Sequence, residues 1–247
     1  MMFKVVIPAR YASTRLQGKP LLDIAGKPMV VRVAEQAAKS GASEIVIATD
    51  FEKIIQAAAE HNIKVVMTRI DHASGTDRIA EVAQIFNWSD DEIVVNVQGD
   101  EPLIDPKLIQ EVAAHLAKSK DAVMATACHA IHDEASFLNP NIVKVVLDAN
   151  GNALYFSRAP IPYPRDDAHK QNIQAHRHIG IYAYRVGFLK QYAQLSVTEL
   201  EKIESLEQLR VLHHGYKIGV TITQNAPASG VDTQEDLDYV RSIFKDK

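Results

Sequence analysis

Residues 3–21 read FKVVIPARYASTRLQGKPL, and the way this stretch divides decides how the rest of the chain is read. Its first part, Phe3-Lys4-Val5-Val6-Ile7, has the mostly apolar character of a strand buried on both faces. The remainder is polar, carries glycine and proline, and gathers Arg10, Arg15, Lys19 and, just beyond, Lys27. In a parallel α/β sheet, ligands collect in the loops that leave the carboxyl ends of the strands. A cationic loop in that position suits a polyphosphate, with Arg10 and Lys19 the first candidates and Arg15 close behind. A solvated loop with incidental charge is the other reading that this stretch alone allows.

Working outward, the same alternation continues to residue 127. Apolar runs at 44–50, 64–68, 92–98 and 122–127 read as further buried strands. Helical patterns separate them: MVVRVAEQAAKSG behind Pro28, FEKIIQAAAEHN after Asp50, TDRIAEVAQIF from Thr76, and PKLIQEVAAHLAKS after Asp105. Pro28 suits a helix's first turn and Gly41 a C-terminal cap. Such alternation implies βαβ units and a mostly parallel sheet flanked by helices. After about residue 128 the pattern turns to β-rich: two strands around Asn150-Gly151, a loop through Pro160, Pro162 and Pro164, and a strand HIGIYAYR at 178–185. Helical patterns at 186–194 and 204–214, a strand KIGVTIT and a last helix complete the chain. Thr233 and Asp236 have capping-box spacing at the start of that helix. The expectation is a single domain over 1–247, with a nucleotide-binding part at 1–127 and an elaboration at 128–247.

Composition narrows the function. The 247 residues are 47% hydrophobic and 23% charged, which is ordinary for a globular protein with a real core. A net charge of −4 argues against nucleic acid held on a broad basic face. The lone Cys128 excludes an internal disulfide framework and any multi-cysteine metal site, and its apolar setting reads as core. No apolar stretch approaches the roughly 18 residues of a membrane span, and cytoplasmic residence is the simplest expectation. Both common phosphate-binding signatures are missing, since no G-x-G-x-x-G or G-x-x-x-x-G-K-[ST] follows the first strand. No zincin or serine-hydrolase motif occurs either.

Three stretches carry chemistry. The cationic loop is the first. In the second, NVQGDEPLI at 96–104, Gly99 allows a tight turn, and Asp100 emerges beside the first loop as the kind of hard ligand that Mg²⁺ on a nucleotide requires. In the third, GVDTQED, Asp232 precedes the last helix, where it serves equally well as a helix-start residue. Spacing alone does not bring the two carboxylates together.

Taken together, IPARYASTRLQGKPL, ATD, MTRIDHASGTDR, NVQGDEP, VKVVLD, ALYFSRAPIPYPR, HIGIYAYR, SLEQLR and GVDT occur in order over nearly the whole chain. This set resembles the 3-deoxy-D-manno-octulosonate (Kdo) cytidylyltransferases, the CMP-Kdo synthetases of Gram-negative bacteria. One departure is Gln17, where the family pattern R-L-P-G-K-P has proline; it removes a backbone constraint but no charge. The resemblance implies a nucleotidyltransferase fold of Rossmann-like type with a β-rich dimerisation segment, and a homodimer. It also implies CTP and Kdo as substrates, CMP-Kdo for lipopolysaccharide biosynthesis and pyrophosphate as products, and Mg²⁺ as cofactor. By the same match, Arg10, Lys19, Ser13 and Arg15 attend the phosphates. Ala9, Ser74, Gly75, Arg78 and Gln98 attend the nucleoside, and Asp100 and Asp232 the metal. Gln98, Arg158, His178, Tyr182 and Glu207 line the sugar-acid site, with Arg158 or His178 suited to its carboxylate. The competing readings are a CMP-sialic acid synthetase and, from another class, a nucleotide-binding protein without catalysis.

Overall fold

The computed structural model describes residues 2–11, 16–72, 74–166, 174–224, 226–228 and 230–245. Its centre is a nine-stranded sheet. Four strands, β1 (Lys4–Ala9), β4 (Glu44–Thr49), β5 (Val65–Met67) and β6 (Ile93–Asn96), run parallel in the order β5-β4-β1-β6. The long strand β10 (Ala175–Arg185) lies antiparallel to β6 on one side and to β7 (Ala122–Ile131) on the other. Beyond β7 lies β11 (Lys217–Ile222), parallel to it. A hairpin of β8 (Lys144–Leu147) and β9 (Ala153–Ser157) pairs through β8 with the early part of β10. The sheet is thus mostly parallel, with one reversed strand through its middle.

The apolar runs form strands here because both sheet faces are covered. Val5, Ile7, Ile47 and Val95 point to one layer, where α1 (Met29–Ala38) and α4 (Pro106–Lys118) supply Val30, Val33, Leu108 and Val112. Val6, Val46 and Val94 point to the other, against Ile79 and Val82 of α3 (Gly75–Ile85) and Leu189 and Tyr192 of the helix at Val186–Tyr192. With alternate side chains buried on opposite faces, no polar alternation is left to read in the sequence. Burial also pushes the Cys128 thiol up to about 12, so that it behaves as a core residue.

A third, smaller cluster bears on function. The helix Gln234–Lys245 packs Leu237 and Val240 on Ile24, Met29 and Val231, below a two-residue ladder joining β2 (Asp23–Ile24) to β3 (Lys27–Pro28). This cluster ties the chain's far end to the loop after β1. The expected capping box forms, with the Asp236 amide donating to Thr233 Oγ1 and the Thr233 amide donating to Asp236 Oδ2.

Several sequence expectations need adjustment. Pro28 caps α1 from outside, with extended ψ, and is not within its first turn. β7 continues four residues past 127 because β10 and β11 both pair with it, a continuation that the polar His129 obscured. The strand expected at 178–185 begins at Ala175. The helical pattern from 204 resolves into Glu199–Glu204 and Gln208–His213, broken at Ser205, whose φ is +51°.

Candidate active site

The parallel strands place their carboxyl ends side by side. β1 and β6 are neighbours, so the loops that leave them meet. Gly99 makes that meeting possible: a Cβ there would stand 2.8 Å from the Pro8 carbonyl oxygen. It sits in the expected tight turn, where the Glu101 amide donates to the Gln98 carbonyl at 3.2 Å, and it also allows close approach of the two backbones. Asp100 comes immediately after it. Its carbonyl accepts from the Val231 amide at 2.9 Å, which draws in the segment bearing Asp232.

The two carboxylates converge on one cation. Lys19 Nζ lies 2.5 Å from Asp100 Oδ2 and 3.0 Å from Asp232 Oδ1. Lys19 is placed by a short 3-10 turn, Lys19–Leu21, entered through Gly18 at φ +64°. A side chain on Gly18 would be strained there and would press on the Tyr11 ring, 3.1 Å away. Two carboxylates held this close to one positive centre form a donor pair of the kind that hard divalent cations use, with phosphate oxygens and water able to complete the shell. Among the described residues no cluster of three or more His, Cys, Asp or Glu side chains is placed to hold a metal. The fit therefore rests on this pair.

Next to the charged end lies a neutral one. A cleft of about 280 Å³ is lined by Gly75, Asn96, Gln98, Tyr182, Tyr184 and Glu207, among others. Tyr184 pairs with Thr76 through hydroxyls 3.3 Å apart. Burial raises the tyrosines Tyr182, Tyr184 and Tyr192 well above their usual range, so all three stay protonated. Glu207 opens to solvent at the cleft, yet the surrounding protein desolvates it enough to raise its pKa against the pull of Arg210. His178 stands beside Tyr182, with ring centroids 5.4 Å apart, and meets Phe156 edge-on. Burial pushes His178 down to about 3, so it is neutral at physiological pH.

The sequence-derived candidates separate into groups. Arg10 leaves β1 toward the site and donates to the His72 carbonyl at 2.8 Å. Ala9 ends β1, buried. Ser13 and Arg15 lie outside the described residues. Ser74 is the N-cap of α3 and is committed to a capping box with Asp77. Gly75 begins that helix against Pro8, and only its backbone faces the cleft. Arg78 is wholly buried behind the site, where its guanidinium donates to Asp50 Oδ2 at 2.7 Å and to Thr68. Its bonds are thus made with the protein. Arg158 is likewise absorbed: it donates to the carbonyls of Glu204 (2.7 Å) and Pro140 (3.1 Å) and reaches that of Ser205 at 3.5 Å, gripping the loop that carries Glu207 from behind. A neutral His178 offers no charge to a carboxylate, while Arg158 spends three of its five N–H donors on these carbonyls.

Sequence reading missed other groups. Asn96 is buried at the cleft floor, and its Oδ1 has no hydrogen-bond partner among the described residues. The signal was a lone polar residue in the apolar run EIVVNVQ. Glu101, beside Asp100, is pushed up to about 7 by burial and by its charged neighbour.

This arrangement, with cationic and anionic groups at strand ends and a polar cleft alongside, suits nucleotidyl transfer on a Rossmann-like sheet. Residues 4–218 match the family model described as cytidylyltransferase, and the chain belongs to the cytidylyltransferase family. It is a nucleotidyltransferase enzyme. Among solved structures, a CMP:2-keto-3-deoxy-manno-octonic acid synthetase complexed with CTP is 43% identical, with a TM-score of 0.91 over 99% of this chain and 98% of that one. A cytidylyltransferase from Leptospira borgpetersenii serovar Hardjo-bovis (strain JB197) shares the fold, at 17% identity and a TM-score of 0.64 over 100% of this chain and 87% of that one.

Proposed function

We propose that this protein activates Kdo by transferring CMP from CTP to it, with release of pyrophosphate and with Mg²⁺ as the metal. The observation that carries this reading is the junction of Lys19, Asp100 and Asp232 beside a cleft lined by tyrosine hydroxyls, side-chain amides and Glu207. The likeness to a synthetase of the same sugar acid, at 43% identity over almost the full length of both chains, supports the choice of substrate. Asp100 and Asp232 would hold the metal, and Arg10 and Lys19 would meet the phosphates. When bound, a divalent ion supplies charge stabilisation at the phosphate oxygens and makes a coordinated hydroxyl more acidic. The protein's own part is placement. Asn96, Gln98, Tyr182 and Glu207 offer donors and acceptors to sugar hydroxyls, and the sheet strands together with the helix start at Glu207 would place them relative to the α-phosphorus. Nucleotidyl transfer needs no covalent enzyme intermediate, in keeping with a site built for charge and position. The division of labour between residues 1–127 for the nucleotide and 128–247 for the sugar, the homodimer and cytoplasmic residence belong to the same proposal.

The test is pyrophosphate release from CTP and Mg²⁺ with Kdo, with sialic acid, and with neither sugar. Release confined to Kdo is expected. Release with sialic acid alone would make this a CMP-sialic acid synthetase, and CTP binding without release under any condition would make it a silent nucleotide binder.

A further inference from the structure

Within the regular sheet, β10 breaks register with β7. His178 pairs opposite Cys128 and Ile179 opposite Ala127, but Tyr182 is the residue opposite Thr126. Gly180 and Ile181 are therefore extra, and they bulge out of the ladder. Four residues of extended strand span about 13 Å, yet the rings of His178 and Tyr182 approach to 5.4 Å between centroids. The bulge is what sets the two side by side.

Thr126 sits in the mouth of this bulge, fully buried. Its Oγ1 lies 2.7 Å from the Ile181 carbonyl oxygen, 3.0 Å from the Ile179 carbonyl oxygen and 2.9 Å from His178 Nε2. A hydroxyl has one proton to give and two lone pairs to offer. Both carbonyls only accept. If the proton went to Nε2, two carbonyl oxygens would face the hydroxyl's lone pairs at or below 3.0 Å with nothing between them. If it goes to Ile181, the shortest contact, the conflict is relieved and Nε2 is left to donate its own N–H to Oγ1. A neutral imidazole with its proton on Nε2 has a bare lone pair on Nδ1. Thr126 is closed to solvent while His178 keeps part of its surface open.

We propose that Thr126 is a positioning residue: with its hydroxyl committed to the bulge, it holds His178 as the Nε2–H tautomer, whose Nδ1 accepts a hydrogen bond from a substrate hydroxyl. The inference rests on the placement of His178 in the sugar site. It also states what kind of group His178 takes, a donor such as a sugar hydroxyl, and excludes the carboxylate that the sequence alone had offered it. Burial agrees, since it keeps the ring uncharged down to about pH 3.

Selective ¹⁵N-histidine labelling of the full chain decides the matter, with the His178 signals assigned through His178→Asn. In the free protein at pH 7, long-range ¹H–¹⁵N correlation is expected to show the Nε2–H tautomer, unchanged in Thr126→Ser and mixed with the Nδ1–H form in Thr126→Val. Steady-state kinetics are expected to show KM for Kdo raised at least fivefold in Thr126→Val, KM for CTP within twofold of wild type, and recovery in Thr126→Ser. An Nδ1–H tautomer in wild type would overturn the proposal, even if Thr126→Val fails to fold. So would a Thr126→Val protein that keeps a pure Nε2–H signal. Failure of the substrate assignment reads out separately: wild type would show the predicted tautomer but no Kdo-dependent pyrophosphate release.

Discussion

Two neighbouring regions of this molecule handle polarity in opposite ways. At the ends of β1 and β6, Lys19 meets Asp100 at 2.5 Å and Asp232 at 3.0 Å. In and beside the adjoining cleft, burial keeps Tyr182 and Tyr184 protonated and raises Glu207, and it keeps the neighbouring His178 neutral. The charged end suits a ligand that brings its own charge, such as a triphosphate with its metal, because ionised partners make the stronger hydrogen bonds there. The neutral end suits a polyol, whose hydroxyls are recognised by matched donors and acceptors and rejected when one is missing. A transferase that joins a nucleotide to a sugar needs both environments within one bond of each other.

Breaking the charge balance gives the largest expected effect. Arg78 and Asp50 form an ion pair in which the arginine has no exposure, so Asp50→Ala leaves a buried cation with only Thr68 to answer it among the described residues. A loss of about 3–5 kcal/mol in urea unfolding is expected, and a loss under 1 kcal/mol would mean the pair is unimportant. Next comes Asp100→Asn, which keeps shape and removes one metal carboxylate. Turnover should fall about 100-fold or more, since the metal's stabilisation is worth several kcal/mol, while CTP affinity changes far less; single-turnover kinetics beside CTP titration would separate the two. Gly99→Ala forces a Cβ to 2.8 Å from the Pro8 carbonyl oxygen. The strands must part slightly, for about 1–3 kcal/mol, and Asp100 moves with them, so both melting temperature and turnover should drop.

An effect confined to acid pH sharpens the uncharged side. The unfolded chain protonates His178 below its ordinary value of 6.5, but the folded protein resists to about pH 3. The unfolded state therefore binds the extra proton in that window, and stability is lost as pH falls from 6.5 toward 3. His178→Asn should flatten the acid limb of a stability–pH curve measured by denaturant unfolding. An unchanged limb would show that the imidazole is already solvated and charged in the fold.

Much of this was legible in the sequence, and the reasons are local. Strands buried on both faces announce themselves as apolar runs, and GDEP and GVDT place acids after a strand and before a helix. The capping box at Thr233 and Asp236 could be read from spacing because both partners belong to one turn. The features that could not be read depend on residues distant in the chain. Nothing near Arg78 says that its guanidinium will turn to Asp50, 28 residues earlier, and not to a ligand. Arg158 likewise looks free in the sequence, while the carbonyls of Glu204 and Pro140 claim it in the fold. The bulge at Gly180 is a matter of register with another strand, and register has no signature within HIGIYAYR itself.

The division between the two regions is tested most directly by CTP binding, measured calorimetrically with Mg²⁺ in Lys19→Met and in Tyr182→Phe. Loss of a charged partner should weaken CTP about tenfold or more in Lys19→Met, while Tyr182→Phe should bind CTP as wild type does and show its defect only toward Kdo. Equal loss of CTP affinity in both variants would contradict the account, because the cleft would then belong to the nucleotide as well.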